Sequence, residues 1–323
     1  MNDFPLISLL KILFKFNIRL QYLILMKTVE CVPNFSEGRN RGKVEQIVEA
    51  ISSVETVKIL DMELDENHNR SVVSFTVGLE HAVEAAFAGI AKAAQLIDLN
   101  KHSGEHPRFG ASDVIPFIPL SGATSDDCIK LSRELGKKVG EELQIPVYMY
   151  ADAAFLENRK SLENIRTKSF QFEELRASIG EAEWKPDFGP AKIGPAGASI
   201  IGARDFLIAY NVNLNTPDIS IGKKIAKALR AKDGGFTFVK ALAFFLEDKK
   251  MVQISMNLTN YRKTPIHRVF ELVKLEASRY GVSVVESEVV GLVPLEAMTE
   301  AAKFYLQLNG FKGDQILEKK MWG

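Results

Sequence analysis

The chain has 323 residues, 46% apolar and 25% charged, the profile of an ordinary soluble globular chain long enough for two cores. Lys plus Arg and Asp plus Glu balance at 41 each, so no global field draws the chain to nucleic acid or to an anionic membrane, and any anion binding must be local. Cys31 and Cys128 are the only cysteines, too few for a disulfide framework or a four-cysteine zinc site; they fit a reducing cytoplasm and are expected in the core.

Residues 1–25 are apolar with Lys11, Lys15 and Arg19 interleaved, and Met26 follows. A spanning helix needs about 20 residues with few or no charges, and no small-residue cleavage site marks a secretory signal. The expectation for 1–26 is an upstream start codon with Met26 as true initiator, or an amphipathic surface anchor with cations four apart. From there a strand is predicted at 28–33 and a helix at 41–51, where Val44, Ile47, Val48 and Ile51 keep helical spacing. Strands at 56–62 and 71–78 flank a polar turn, and an alanine-rich helix follows at 80–97. After a polar loop come a strand at 114–120, a helix at 125–143 and a short strand at 146–150.

A linker and cleft wall is expected at 184–200, where three prolines and three glycines between Trp184 and Ala198 disfavour both helix and ladder. A second half then repeats the order: strand 206–214, helix 219–231 capped by Asp218, a hairpin of 238–246 and 252–258 across Glu247-Asp248-Lys249-Lys250, helix 265–280 closed by Gly281, strand 282–287 and a last helix 294–308. The predicted class is therefore α+β, two ferredoxin-like βαββαβ subdomains at 27–183 and 201–311, each an antiparallel sheet with helices on one face, followed by a tail at 312–323.

Chemistry concentrates in the loop 100–113, where Lys101, His102, Gly104, Glu105, His106, Arg108 and Asp113 lie between a helix and an apolar strand. Groups that exchange protons near pH 7, beside fixed positive charge, can hold an anionic substrate and move its protons. A second polar cluster holds Asn34, and the turn 65–70 ends on Asn69 and Arg70, which abut a strand and point to a ligand. His102 and His106 share the HxxxH spacing of some zinc sites, but Gly104 and Pro107 break the helix that spacing requires, so no metal is expected. His68, His81 and His267 are expected to be solvated or satisfied histidines.

The segment VECVPNFSEG at 29–38, the pair Asn69-Arg70, the run Gly104-Glu105-His106-Pro107-Arg108 with Gly110, Ala111 and Asp113, and Asp187-Phe188-Gly189-Pro190 closely resemble the formiminotransferase family. Pro146-Val147-Tyr148, Gly202-Ala203-Arg204 and Gly291-Leu292-Val293-Pro294 extend the resemblance over 27–311. It implies transfer of a formimidoyl group from N-formimidoyl-L-glutamate to N5 of tetrahydrofolate, on two ferredoxin-like subdomains with a ligand cleft between them, in a homodimer. It places the catalytic acid/base at His106 and folate binding along Gly189, Pro190, Ala191, Lys192, Ile193, Gly194, Pro195, Ala196 and Gly197.

An imidazole can take a proton from N5 and return it to the departing glutamate nitrogen, and Glu105 or Asp113 is expected to orient or tune it. Arg108, Arg70 and Lys101 are the expected partners of substrate and folate carboxylates, the folate being free or polyglutamylated. The chain stops at Gly323, so a separate cyclodeaminase is expected downstream. The mammalian bifunctional version is expected to carry an aromatic residue where this chain has Ala196; a surface for the pterin is then sought in Phe109 or Phe188. The rival functions are a formyl-transferring sister enzyme using N-formyl-L-glutamate and a non-catalytic folate-binding protein, with a metal-dependent hydrolase more distant.

Overall fold

The computed structural model describes residues 27–104, 106–167 and 169–322; the expectations for 1–26 and for Glu105 lie outside the described residues. The chain divides into two compact units, the first ending at Arg204 and the second beginning at Asp205.

In the first unit, β1 (Thr28–Cys31) and β2 (Asn34–Phe35) share one lane of a sheet, and each pairs antiparallel with both β4 (Arg70–Gly78) and β5 (Ser112–Pro119). The lane is interrupted at Val32-Pro33 because Pro33 has no N–H to give the ladder. Strand β3 (Lys58–Asp65) pairs with β4. Helix α1 (Arg41–Ser52) starts at Asn40, whose side chain accepts from the Lys43 N–H. It packs on α2 (Leu79–Leu96), where a Cβ on Gly89 would stand 2.8 Å from Ile51. The two helices thus approach where one residue has no side chain. Helix α3 (Ser125–Glu142) opens with a Thr124–Asp127 capping box and leads to β6 (Val147–Ala151).

The expected linker is a correction. Strand β7 (Ser199–Ala203), buried at all five positions, runs parallel between β5 and β6 and belongs to the first unit. The sheet is mixed rather than purely antiparallel, in the order β3, β4, β1/β2, β5, β7, β6. A strand covered on both faces loses the apolar–polar alternation that marks a strand in sequence, so in sequence β7 reads as linker and as the start of the next subdomain. The short helices α4 (Leu162–Ile165) and α5 (Phe172–Ser178) lie in a stretch for which no element was predicted.

The second unit follows the predicted order closely: β8 (Ile208–Leu214), α6 (Ile219–Leu229), β9 (Val239–Leu246), β10 (Met251–Leu258), α7 (Ile266–Ser278), β11 (Val284–Val290) and α8 (Leu295–Tyr305). Its strands pair antiparallel in the order β11, β8, β10, β9. The first unit repeats that neighbour order as β5, β1, β4, β3 before its extra strands are added. Asp218 caps α6 through the Ser220 N–H, and Gly281 takes a left-handed φ of 69° after α7, both as predicted.

Glu30 on β1 is 3% exposed, and its Oε2 finds no hydrogen-bond donor among the described residues. Burial, partly offset by Arg204, pushes its pKa from 4.5 to about 7. The folded chain then holds this proton to higher pH than the unfolded chain, so stability declines as pH rises from 4.5 to about 7 and levels off above. Glu30→Gln is expected to remove that decline, worth up to about 3 kcal/mol. Urea denaturation near pH 5 and near pH 8 reads it; a difference between the two that persists in the variant would sink the assignment.

Candidate active site

The backbone frame comes first. Asn69, at the end of the turn before β4, takes a left-handed φ of 48°. Its Oδ1 accepts from the Gly38 N–H at 3.0 Å, its Nδ2 donates to Ser103 O at 2.9 Å, and its carbonyl accepts from His102 Nε2 at 2.9 Å. A Cβ on Gly104 would stand 2.3 Å from His68 O, so the loop lies against the turn because residue 104 has none. Asn69 and Gly104, expected at the substrate, thus hold three segments together. Asn34 is buried in β2 and donates to Val32 O at 2.8 Å, a bond to the break between β1 and β2.

His106 sits half-buried in this frame. Its Nδ1 lies 2.7 Å from Pro107 O, which can only accept, so Nδ1 carries the proton. Its Nε2 faces Arg70 Nη1, which can only donate, so Nε2 presents its lone pair. Burial, then the guanidiniums of Arg70 and Arg166, push its pKa down to about 3, and the ring is neutral throughout the physiological range. His68 stands edge-on with its centroid 6.1 Å away. Asp113 does not orient the ring as expected: its Oδ1 accepts from the Phe109 N–H at 2.8 Å and its Oδ2 pairs with Arg166. The Pro107 carbonyl and Arg70 set the tautomer instead.

Arg108 is a second correction. Its Nε donates to His102 Nδ1, its Nη1 to Gln171 Oε1 and Glu173 Oε2, and its Nη2 to His102 O and Glu173 Oε1, all within 3.2 Å. Five N–H donors are thereby spent on protein acceptors, which makes Arg108 a brace for the loop rather than a carboxylate clamp. Lys101 is exposed, with Nζ 3.6 Å from Asp98. Arg166, Gln171 and Glu173 were missed; single polar residues in an aperiodic stretch give no sequence signal. A cleft of about 540 Å³ opens beside the loop, lined by Arg39, Glu66, Asn67 and Gly104. The recess at His106 is tighter, walled by Ser36, His68, Asn69, Arg70, His102 and Arg108 among others.

The stretch 189–197 is tied to the same loop. Gly110 and Gly197 form an antiparallel bridge, Ala111 N donates to Ala196 O at 2.8 Å, and Ala198 N donates to Phe109 O at 2.9 Å. Leu99 N also donates to Pro195 O at 2.8 Å. Within it Ile193 and Gly197 are buried, Pro190 and Ala196 are half-buried, and Gly189, Ala191, Lys192, Gly194 and Pro195 are exposed. Phe109 is 0% exposed and packs against Tyr148 and Phe170, so it offers no face to a pterin; Phe188 is half-buried.

A neutral, tautomer-defined histidine beside an arginine, braced in an α+β unit, pairs a group able to exchange a proton with one able to bind an anion. The chain belongs to the formiminotransferase family: residues 28–204 match the N-terminal subdomain of the formiminotransferase domain, and residues 209–319 match the formiminotransferase domain that follows it. A glutamate formimidoyltransferase of Thermoplasma acidophilum is 66% identical over 92% of this chain and 98% of that protein. One from Streptococcus pyogenes serotype M1 is 42% identical over 92% of this chain and 99% of its own length. The formimidoyltransferase-cyclodeaminase of Rattus norvegicus is also 42% identical, over 86% of this chain and 52% of its own length.

Proposed function

We propose that the chain is a glutamate formimidoyltransferase that moves the formimidoyl group of N-formimidoyl-L-glutamate to N5 of tetrahydrofolate, with His106 as general acid/base. The observation that carries this reading is the neutral His106, its Nδ1–H held by Pro107 O and its Nε2 lone pair turned to Arg70, in a chain of this family. N5 attacks the formimidoyl carbon and Nε2 takes its proton, giving a tetrahedral carbon bonded to both nitrogens. The imidazolium then returns that proton to the glutamate nitrogen as the C–N bond to it breaks, releasing L-glutamate and 5-formimidoyltetrahydrofolate.

The exposed residues of 189–197 are the proposed folate contact, because their bridge to Phe109–Ala111 links that stretch to the loop carrying His106. On the same reading the enzyme is a cytoplasmic homodimer that takes free or polyglutamylated folate, and its product is open to a separate cyclodeaminase. No described helix is long and apolar enough to cross a membrane.

The test is turnover by the full chain with tetrahydrofolate and either donor, followed through acid-driven formation of the methenyl chromophore. The formimidoyl donor is expected to turn over well and N-formyl-L-glutamate poorly. A preference for the formyl donor would move the chain to the sister reaction. Folate binding without turnover of either donor would make it a binding protein.

A further inference from the structure

Three buried or half-buried guanidiniums surround His106, and they are not equivalent. Arg108 is paired with Glu173 and Arg166 with Asp113. Arg70 forms no ion pair among the described residues; its Nη1 rests on the imidazole and its buried Nε has no partner. Burial pushes the Arg70 pKa down to about 10, and burial, then the charge of Arg70, pushes that of Arg166 down to about 9. A desolvated guanidinium with donors unspent and a second cation nearby is an anion site held by a neutral stand-in.

The stand-in has a chemical cost. The Nε2 lone pair that a transfer reaction must use is the atom that Arg70 covers, and a covered lone pair takes no proton. We infer that Arg70 is a displaceable guard on His106: a carboxylate of the glutamyl donor draws the guanidinium off Nε2, so the base is uncovered only when the donor is seated. This rests on the donor reading proposed above. The carboxylate is the better acceptor for Arg70, able to take two N–H bonds where the imidazole takes one. Its negative charge also offsets the Arg70 and Arg166 charges that face the ring. Among the described residues, the other charged or titratable groups there are His68, edge-on to the ring and hydrogen-bonded to Asp65, whose charge also acts on Arg70; Asp113, spent on Arg166; and His102 and Arg108, bonded to one another. The pH dependence of His106 should therefore follow Arg70.

The experiment is an NMR titration of the full chain with isotope-labelled histidine, His106 assigned through His106→Gln, with L-glutamate as the probe. In the free wild-type protein His106 is expected to stay neutral down to about pH 5, and saturating glutamate to raise its proton affinity roughly tenfold or more. Arg70→Met should show the raised affinity without glutamate and no response to it; Arg70→Lys, which keeps a cation but not the fork, should fall between. In kinetics Arg70→Met is expected to raise KM for the donor roughly 10- to 100-fold and to lower kcat far less.

Spectra of the variants report that they fold, and a merely structural arginine would leave the response to glutamate in place. A wild-type titration that ignores glutamate, or one that Arg70→Met leaves unchanged, overturns the guard. If glutamate moves His106 but the chain never turns over the formimidoyl donor, the guard stands and the transferase reading falls. Turnover without that movement sinks the guard alone.

Discussion

Replacing His106 by alanine is expected to lower the rate of formimidoyl transfer by roughly 10²- to 10⁴-fold, the usual worth of positioned proton transfer, while tetrahydrofolate still binds. The size follows from what the ring does twice: without it, N5 must lose its proton to water, and the glutamate nitrogen must leave as a poor anion. Binding should survive because the proposed folate stretch is held by backbone bonds from Leu99, Ala111 and Ala198, none of which involves the imidazole. The measurement is single-turnover rate alongside folate affinity. A rate within a few-fold of wild type would remove His106 from the chemistry. Loss of folate binding in step with the rate would instead make it a folate contact.

A second large effect is expected from one methyl group that takes no part in proton transfer. Gly197 has a φ of 71°, and a Cβ there would stand 2.1 Å from Phe109 O and 2.7 Å from Gly110 Cα, both backbone atoms. No rotamer relieves that clash; the two bridged segments must part, loosening the bonds from Ala111 N to Ala196 O and from Ala198 N to Phe109 O. With the strain of left-handed backbone added, Gly197→Ala is expected to cost about 3–5 kcal/mol of stability. Gly194→Ala is the control, since nothing lies within 4 Å of a Cβ there, and a change of no more than about 1 kcal/mol is expected. Urea denaturation of the pair decides the matter. Equal midpoints for both variants would mean that the bridge does not hold the loop.

Much of this architecture is legible in the residues because each clear element has a local cause. Helices α1, α2, α3, α6 and α7 follow from helical spacing of apolar positions, and Asp218 and Gly281 mark ends that hold in the structure. The hairpin of β9 and β10 follows from its charged turn. What sequence could not supply was non-local. Strand β7 is defined by neighbours 52 and 86 residues earlier, and it lies beside a proline- and glycine-rich segment that looks like a boundary.

The site divides in the same way. A dense polar run marks His106, but the role of each cation depends on partners that residue type cannot announce. Arg108 reads as a clamp until Gln171 and Glu173 are found on it, and Asp113 reads with Glu105 as one of two candidate partners of His106 until Arg166 claims its carboxylate. Arg166 carries no sequence mark at all, yet its charge faces the histidine.

The shared lane of β1 and β2 bears on how the chain is made. Its first described strand is the one that must sit inside the sheet, flanked by β4 and by β5, which begins only at Ser112. At roughly 5–20 residues per second, translation leaves the Thr28–Cys31 strand, buried in the finished sheet at Val29, Glu30 and Cys31, without its second neighbour for several seconds after it emerges. The β3–β4 hairpin can receive it on one side in that interval, and the β5 edge stays open until Ser199–Ala203 has been synthesised. The sheet of this unit cannot close until residue 203 has been made, and a nascent chain halted before residue 199 leaves the β5 edge without its parallel neighbour.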